Sequence, residues 1–143
     1  MSFGIDVNIL LYASDESSAL NGKAVAFLER CAQERQVFCM AWITLMSYLR
    51  MATHPAIFGK PLAPDEAKCN VEALISLDHC RIIGEEDRFW PIFCEIARDA
   101  PARANQVPDA HLAAILRSNG VGVLYTHDRD FRRFPFLDVR DPL

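Results

Sequence analysis

No stretch of this chain approaches the ~18 uninterrupted apolar residues that a membrane-crossing helix needs, so a transmembrane protein is excluded at once. A basic leader with a small-residue cleavage site is missing too. Ile9-Leu10-Leu11 is preceded by Asp6 and followed by Asp15 and Glu16, and the expected compartment is therefore the cytosol. Glycine and proline are sparse, at 6 and 8 residues, which leaves no room for a collagen-like repeat or a low-complexity linker. The cysteines (Cys31, Cys39, Cys69, Cys80, Cys94) are odd in number and contain no CxxC pair. Lying in apolar runs, they read as reduced core thiols rather than disulfides or zinc ligands. His54, His79, His111 and His127 are scattered, with no His-x3-His pair. Positive charge is not in excess either: 15 Lys and Arg against 19 Asp and Glu give −4, which excludes a protein that simply coats nucleic acid. Residues 98–143 are the exception, with 7 arginines against 6 acids. A local arginine cluster or a metal ion can still bring RNA to an acidic protein.

What is present is a chain of 143 residues with 51% hydrophobic and 24% charged side chains, the size and composition of one folded domain spanning 1–143. Periodicity predicts strands at 2–6, 37–40, 80–83, 122–125 and 137–139, and helices at 17–34, 43–51, 65–77, 89–98 and 108–119. The last helix is the best delimited, opened by Pro108 and closed by Gly120. The segment 55–64, with three prolines and Gly59, reads as a loop. Strands alternating with helices of ten or more residues imply an α/β fold, a mostly parallel sheet of about five strands covered on both faces. In such sheets a site forms outside the carboxyl ends of the strands.

Three carboxylates occupy such positions: Asp6 ends the first strand, Asp128 follows the strand 122–125, and Asp109 opens the helix after Pro108. Leu112, Ala113 and Leu116 share the helix face of Asp109 and turn that carboxylate toward the sheet. An inward carboxylate needs a neutralising partner, and a hard divalent cation, Mg²⁺ or Mn²⁺, is the natural one. Each residue also has an ordinary reading. Asp6 suits a turn or helix cap, Asp109 a helix N-terminus, and Asp128 and Asp130 a capped loop. Their convergence on one sheet edge favours the metal.

At the same residues the sequence resembles a known family. Asp6-Val7-Asn8-Ile9-Leu10-Leu11-Tyr12-Ala13, the run Trp42–Arg50 leading to Ala52-Thr53-His54-Pro55, Pro108-Asp109-Ala110-His111-Leu112-Ala113-Ala114, and Thr126-x-Asp128-x-Asp130-Phe131 follow one another as in PIN-domain ribonucleases. The likeness is strongest to VapC-like toxins of bacterial toxin-antitoxin pairs. It covers essentially the whole chain. The resemblance implies a three-layer α/β/α sandwich, usually a homodimer, that cleaves RNA with Mg²⁺ or Mn²⁺ and is silenced by a cognate antitoxin. Carried over by position, Asp6, Asp109 and Asp128 match the family's catalytic, metal-binding aspartates. Asn8 and Thr126 match polar residues that orient them, and Asp130 matches a neighbouring acid with a supporting role. One departure stands out: the helix after the second strand carries Ser47 where the family commonly has Glu, and no acid lies within Trp42–Arg50.

Among the arginines, Arg50, Arg129 and Arg132 are the candidates for substrate phosphates, with Arg117 and Arg133 also available. Tyr12, Trp42, Phe89, Trp90, Phe131 and Phe134 read first as core residues, and His111 and His127 as hydrogen-bonding surface histidines. A phosphoacceptor receiver domain would need a lysine after a late strand, and the only lysines are Lys23, Lys60 and Lys68. The remaining alternative is a PIN module weakened by the change at Ser47 that only binds RNA or protein.

Overall fold

The computed structural model covers residues 1–143. Five parallel strands, β1 (Phe3–Ile5), β2 (Phe38–Ala41), β3 (Cys80–Ile83), β4 (Val123–Tyr125) and β5 (Asp138–Arg140), lie in the order β3-β2-β1-β4-β5. The chain winds outward from β1 to β3 in one direction and resumes on the other side of β1 with β4. The strand order therefore reverses between β1 and β4, and a crevice opens at their carboxyl ends.

Alternation along the strands decides which helices cover which face. Phe3, Ile5, Phe38 and Met40 point to one side, where they pack with Ile9, Leu10, Phe27, Cys31, Leu45, Tyr48 and Val71 from α1 (Val7–Ser14), α2 (Asn21–Gln33), α3 (Trp42–Ala52) and α4 (Pro64–Ile75). Cys39, Ala41 and Leu124 point to the other, against Ile96 of α5 (Phe89–Asp99) and Ala110 to Leu116 of α6 (Val107–Ser118). This is the expected three-layer sandwich. Gly4 lets α6 approach the middle of the sheet: a Cβ there would sit 2.8 Å from Leu116 Cδ2. At the far end of α6, Gly120 takes φ +72, while Gly120 N–H and Val121 N–H donate to the carbonyls of Arg117 and Leu116. That pair of bonds is a Schellman closure, which a left-handed glycine permits.

Two expectations are corrected. The helix placed at 17–34 is α2 alone, which starts only at Asn21, and the unpredicted α1 precedes it, the two joined by a turn in which Asp15 Oδ1 accepts from the N–H of Ser17. Ser17 belongs to that turn instead of starting a helix. Cys69 is exposed on α4 rather than buried; all five cysteines are free thiols. No helix is long and apolar enough to cross a membrane.

Candidate metal-dependent nuclease site

Asp6 leaves β1 in extended conformation and caps α1, its Oδ1 accepting from the N–H of Val7 at 2.7 Å. The other oxygen, Oδ2, accepts from the hydroxyl of Thr126 at 2.7 Å. Thr126 directly follows β4 and is 1% exposed. Its Oγ1 also accepts from Asn8 Nδ2 at 3.1 Å and from the N–H of Asp128 at 3.0 Å, so the one donor and two lone pairs of that hydroxyl are all used. Asn8 Oδ1 in turn accepts from the N–H of His127 at 3.3 Å. Thr126 is thus the hub that joins the ends of the two strands flanking the crevice.

Asp128 caps the 3-10 turn Arg129–Arg133, its Oδ1 accepting from the N–H of Asp130 at 2.9 Å. Across the crevice Asp109 stands in the first turn of α6, above Leu112, Ala113 and Leu116, all buried as the spacing predicts. Asp109, Asp128 and Asp130 each present a carboxylate oxygen, and these lie within 4.8 Å of one another. Asp6 is outside that trio but close enough to act on it electrostatically. Burial pushes the Asp109 carboxyl up to about 6, and the charges of Asp128, Asp6 and Asp130 add to the rise while Arg133 opposes it. Asp6 is raised as well, chiefly by burial, against the lowering effect of its bonds from Thr126 and Val7.

The other predicted residues fall in three groups. Asn8 and Thr126 sit where an orienting role requires. Ser47 is half-buried on the second turn of α3, and no hydrogen bond links it to the aspartates. Arg129 and Arg132 are exposed on the turn beside Asp130, whereas Arg50 is exposed in the last turn of α3, at the end away from the sheet edge. His111 and His127 bind Glu85 at 2.6 Å and Asp141 at 2.8 Å and do not face the acids as free bases. Phe131 and Phe134 are core residues, while Trp42 and Trp90 are exposed. A groove of about 460 Å³ between α1, α2, α3 and α4 contains none of these aspartates, so the site is defined by converging charge instead of depth. Sequence reading underrated Asp130, because only the compact 3-10 turn brings it back over Asp128.

The PIN-domain profile matches residues 5–137. The chain belongs to the PIN-domain family. Its curated relatives place this PIN domain among the VapC ribonucleases: Ribonuclease VapC48 of Mycobacterium tuberculosis is 39% identical over 99% of this chain and 98% of its own length. Ribonuclease VapC43 of the same organism is 32% identical over 97% of this chain and 94% of its own. Solved PIN structures share the fold. VapC20 of M. tuberculosis, described as a Sarcin-Ricin loop cleaving toxin, superposes with a TM-score of 0.69 at 18% identity, covering 96% of this chain and 98% of that one. VapBC2 from Rickettsia felis bound to promoter DNA gives 0.68 at 17% identity, covering 99% and 98%.

Proposed function

We propose that this PIN domain is a Mg²⁺- or Mn²⁺-dependent ribonuclease, the toxin of a toxin-antitoxin pair, with Asp6, Asp109 and Asp128 as its catalytic carboxylates. The observation that carries the reading is the convergence of Asp109, Asp128 and Asp130 within 4.8 Å, beside Asp6, at the carboxyl edge where the strand order reverses. The donor set fits the ion: all the groups are hard carboxylate oxygens, and a divalent cation would offset the like-charge repulsion that three of them meet so close together. A bound divalent cation supplies Lewis-acid stabilisation of phosphoryl oxygens and a water of lowered pKa. Asp109, Asp128 and Asp130 would hold it, with the charge of Asp6 beside them. Thr126 and Asn8 fix the carboxylate orientations by the bonds described above. Arg129 and Arg132, exposed on the neighbouring turn, reach outward toward the RNA backbone, which guanidinium groups bind in bidentate fashion.

The reading includes the remaining expectations, a homodimer in the cytosol with one domain over 1–143, silenced by an antitoxin. An antitoxin segment that sets Arg or Lys against the aspartates would compete with the cation for them. Incubating the purified protein with RNA and Mn²⁺, with Asp6→Asn, Asp109→Asn and Asp128→Asn beside it, tests the reading. Cleavage by the wild type and a loss of at least about 100-fold in each variant, with far-UV CD unchanged, is expected. Wild-type rates in all three variants would sink the site assignment, and no cleavage by the wild type would favour a module that only binds RNA or protein.

A further inference from the structure

Arg133 ends the 3-10 turn that begins at Asp128 and includes Asp130. Its guanidinium lies 4.8 Å from the centre of the buried Phe134 ring, and its Nη2 donates to the carbonyl of Gln106 at 3.1 Å. Gln106 immediately precedes α6 and stands three residues before Asp109. The bond therefore joins the two walls of the acidic crevice, the turn on one side and the lead-in to the Asp109 helix on the other.

That lead-in is held against its own preferences. Ala104 takes φ 47, the left-handed region that a residue with a Cβ enters only at a cost. Within the segment, Arg103 N–H donates to Gln106 Oε1 at 3.2 Å. One Arg133 donor is left over, since its Nε is buried with no partner. It forms no ion pair within 4.0 Å. The net effect of its position is a cation facing Asp109 and a tether on Gln106.

We propose that Arg133 is a positioning residue: by tying Gln106 to the 129–133 turn it holds the Asp109 carboxylate near Asp128 and Asp130 against their mutual repulsion. The direction of its action on Asp109, opposing the carboxylate neighbours, agrees with this placement. The inference rests on the metal-site reading above, and its test separates the two.

Arg133→Met keeps the apolar stem and removes the charge and the tether, while Arg133→Lys keeps the charge and one donor. Charge alone predicts that the Met variant binds Mn²⁺ more tightly, because a repelling cation has left the site. The tether predicts the opposite, an affinity about 10-fold weaker by calorimetry with the Lys variant in between. In EDTA, amide hydrogen exchange at His111 and Leu112, which close the first turn of α6, should quicken several-fold in the Met variant while Leu124 of β4 keeps its rate. Equal or tighter Mn²⁺ binding by the Met variant overturns the proposal, and so does unchanged exchange at His111 and Leu112. If CD shows the Met variant unfolded, the Lys variant is read against the same two criteria. A wild type that binds no Mn²⁺ at all removes the metal reading, and the tether is then decided by exchange alone.

Discussion

Asp109 carries a penalty that depends on pH, because burial and three neighbouring carboxylates raise it to about 6 from an ordinary 3.8. Between those values the unfolded chain has released the proton and the folded chain still holds it. The native state binds more protons, so this group makes stability fall as pH rises through that window, and the loss is complete above about 6. In EDTA, Asp109→Asn should therefore gain in melting temperature relative to wild type from pH 4 to 7 and then hold its lead. Added Mn²⁺ should reverse the order at pH 7.5, since only wild type has the full ligand set and binding to the native state adds stability. Differential scanning fluorimetry with and without metal checks both. Thr126 is the second sensitive residue. Thr126→Val removes a hydroxyl that serves Asp6, Asn8 and Asp128 at 2.7, 3.1 and 3.0 Å, and takes a partner from the buried Asp6 carboxylate and the half-buried Asn8 amide and Asp128 N–H. A loss of about 2–4 kcal/mol in urea unfolding is expected, with Thr126→Ser recovering most of it.

At the level of elements, α6 approaches β1 closely, where Gly4 leaves 2.8 Å between a would-be Cβ and Leu116 Cδ2. Gly4→Ala should destabilise by about 1–3 kcal/mol, and Leu116→Val in the same chain should recover part of that loss, as urea midpoints will report. The α6 helix was legible in the sequence because it carries its own punctuation, Pro108 at the start and Gly120 at the close, and because Leu112, Ala113 and Leu116 share one face with Asp109. The strands were legible to within a residue or two, since β1 to β4 are short, mostly apolar runs between breakers, whereas β5 is Asp-Val-Arg and was placed one residue early. The α1 helix was not. It has eight residues, too few to persist alone, and is stabilised by packing on α2 and α3, while Asp6 and Asn8 look like turn residues until Thr126 is seen to bind both. Asp130 and Arg133 were underrated for a related reason: a 3-10 turn leaves no period of 2 or 3.6 from which their directions could be read.

For the whole molecule, the sandwich places one acidic crevice at the centre of its sheet and leaves the helical layers to cover the rest. Expressed alone in bacteria, the wild-type protein should arrest growth and the Asp109→Asn variant should not, as colony counts on inducing plates will show. Equal arrest by both would place the toxicity in binding or aggregation rather than cleavage. The order of the strands also has a consequence in time. Gly4 pairs with Leu124, and Asp6 meets Thr126, across about 120 residues of chain, so β1 waits for β4 before the crevice has two sides. At ribosomal speeds of roughly 5–20 residues per second, the interval from Asp6 to Asp130 lasts on the order of 6–25 s. For most of that interval, until residue 109, the nascent polypeptide holds one aspartate of the site without its partners. A truncated chain released before residue 123 therefore lacks β4, Thr126 and Asp128, and its Asp6 has no second wall to face.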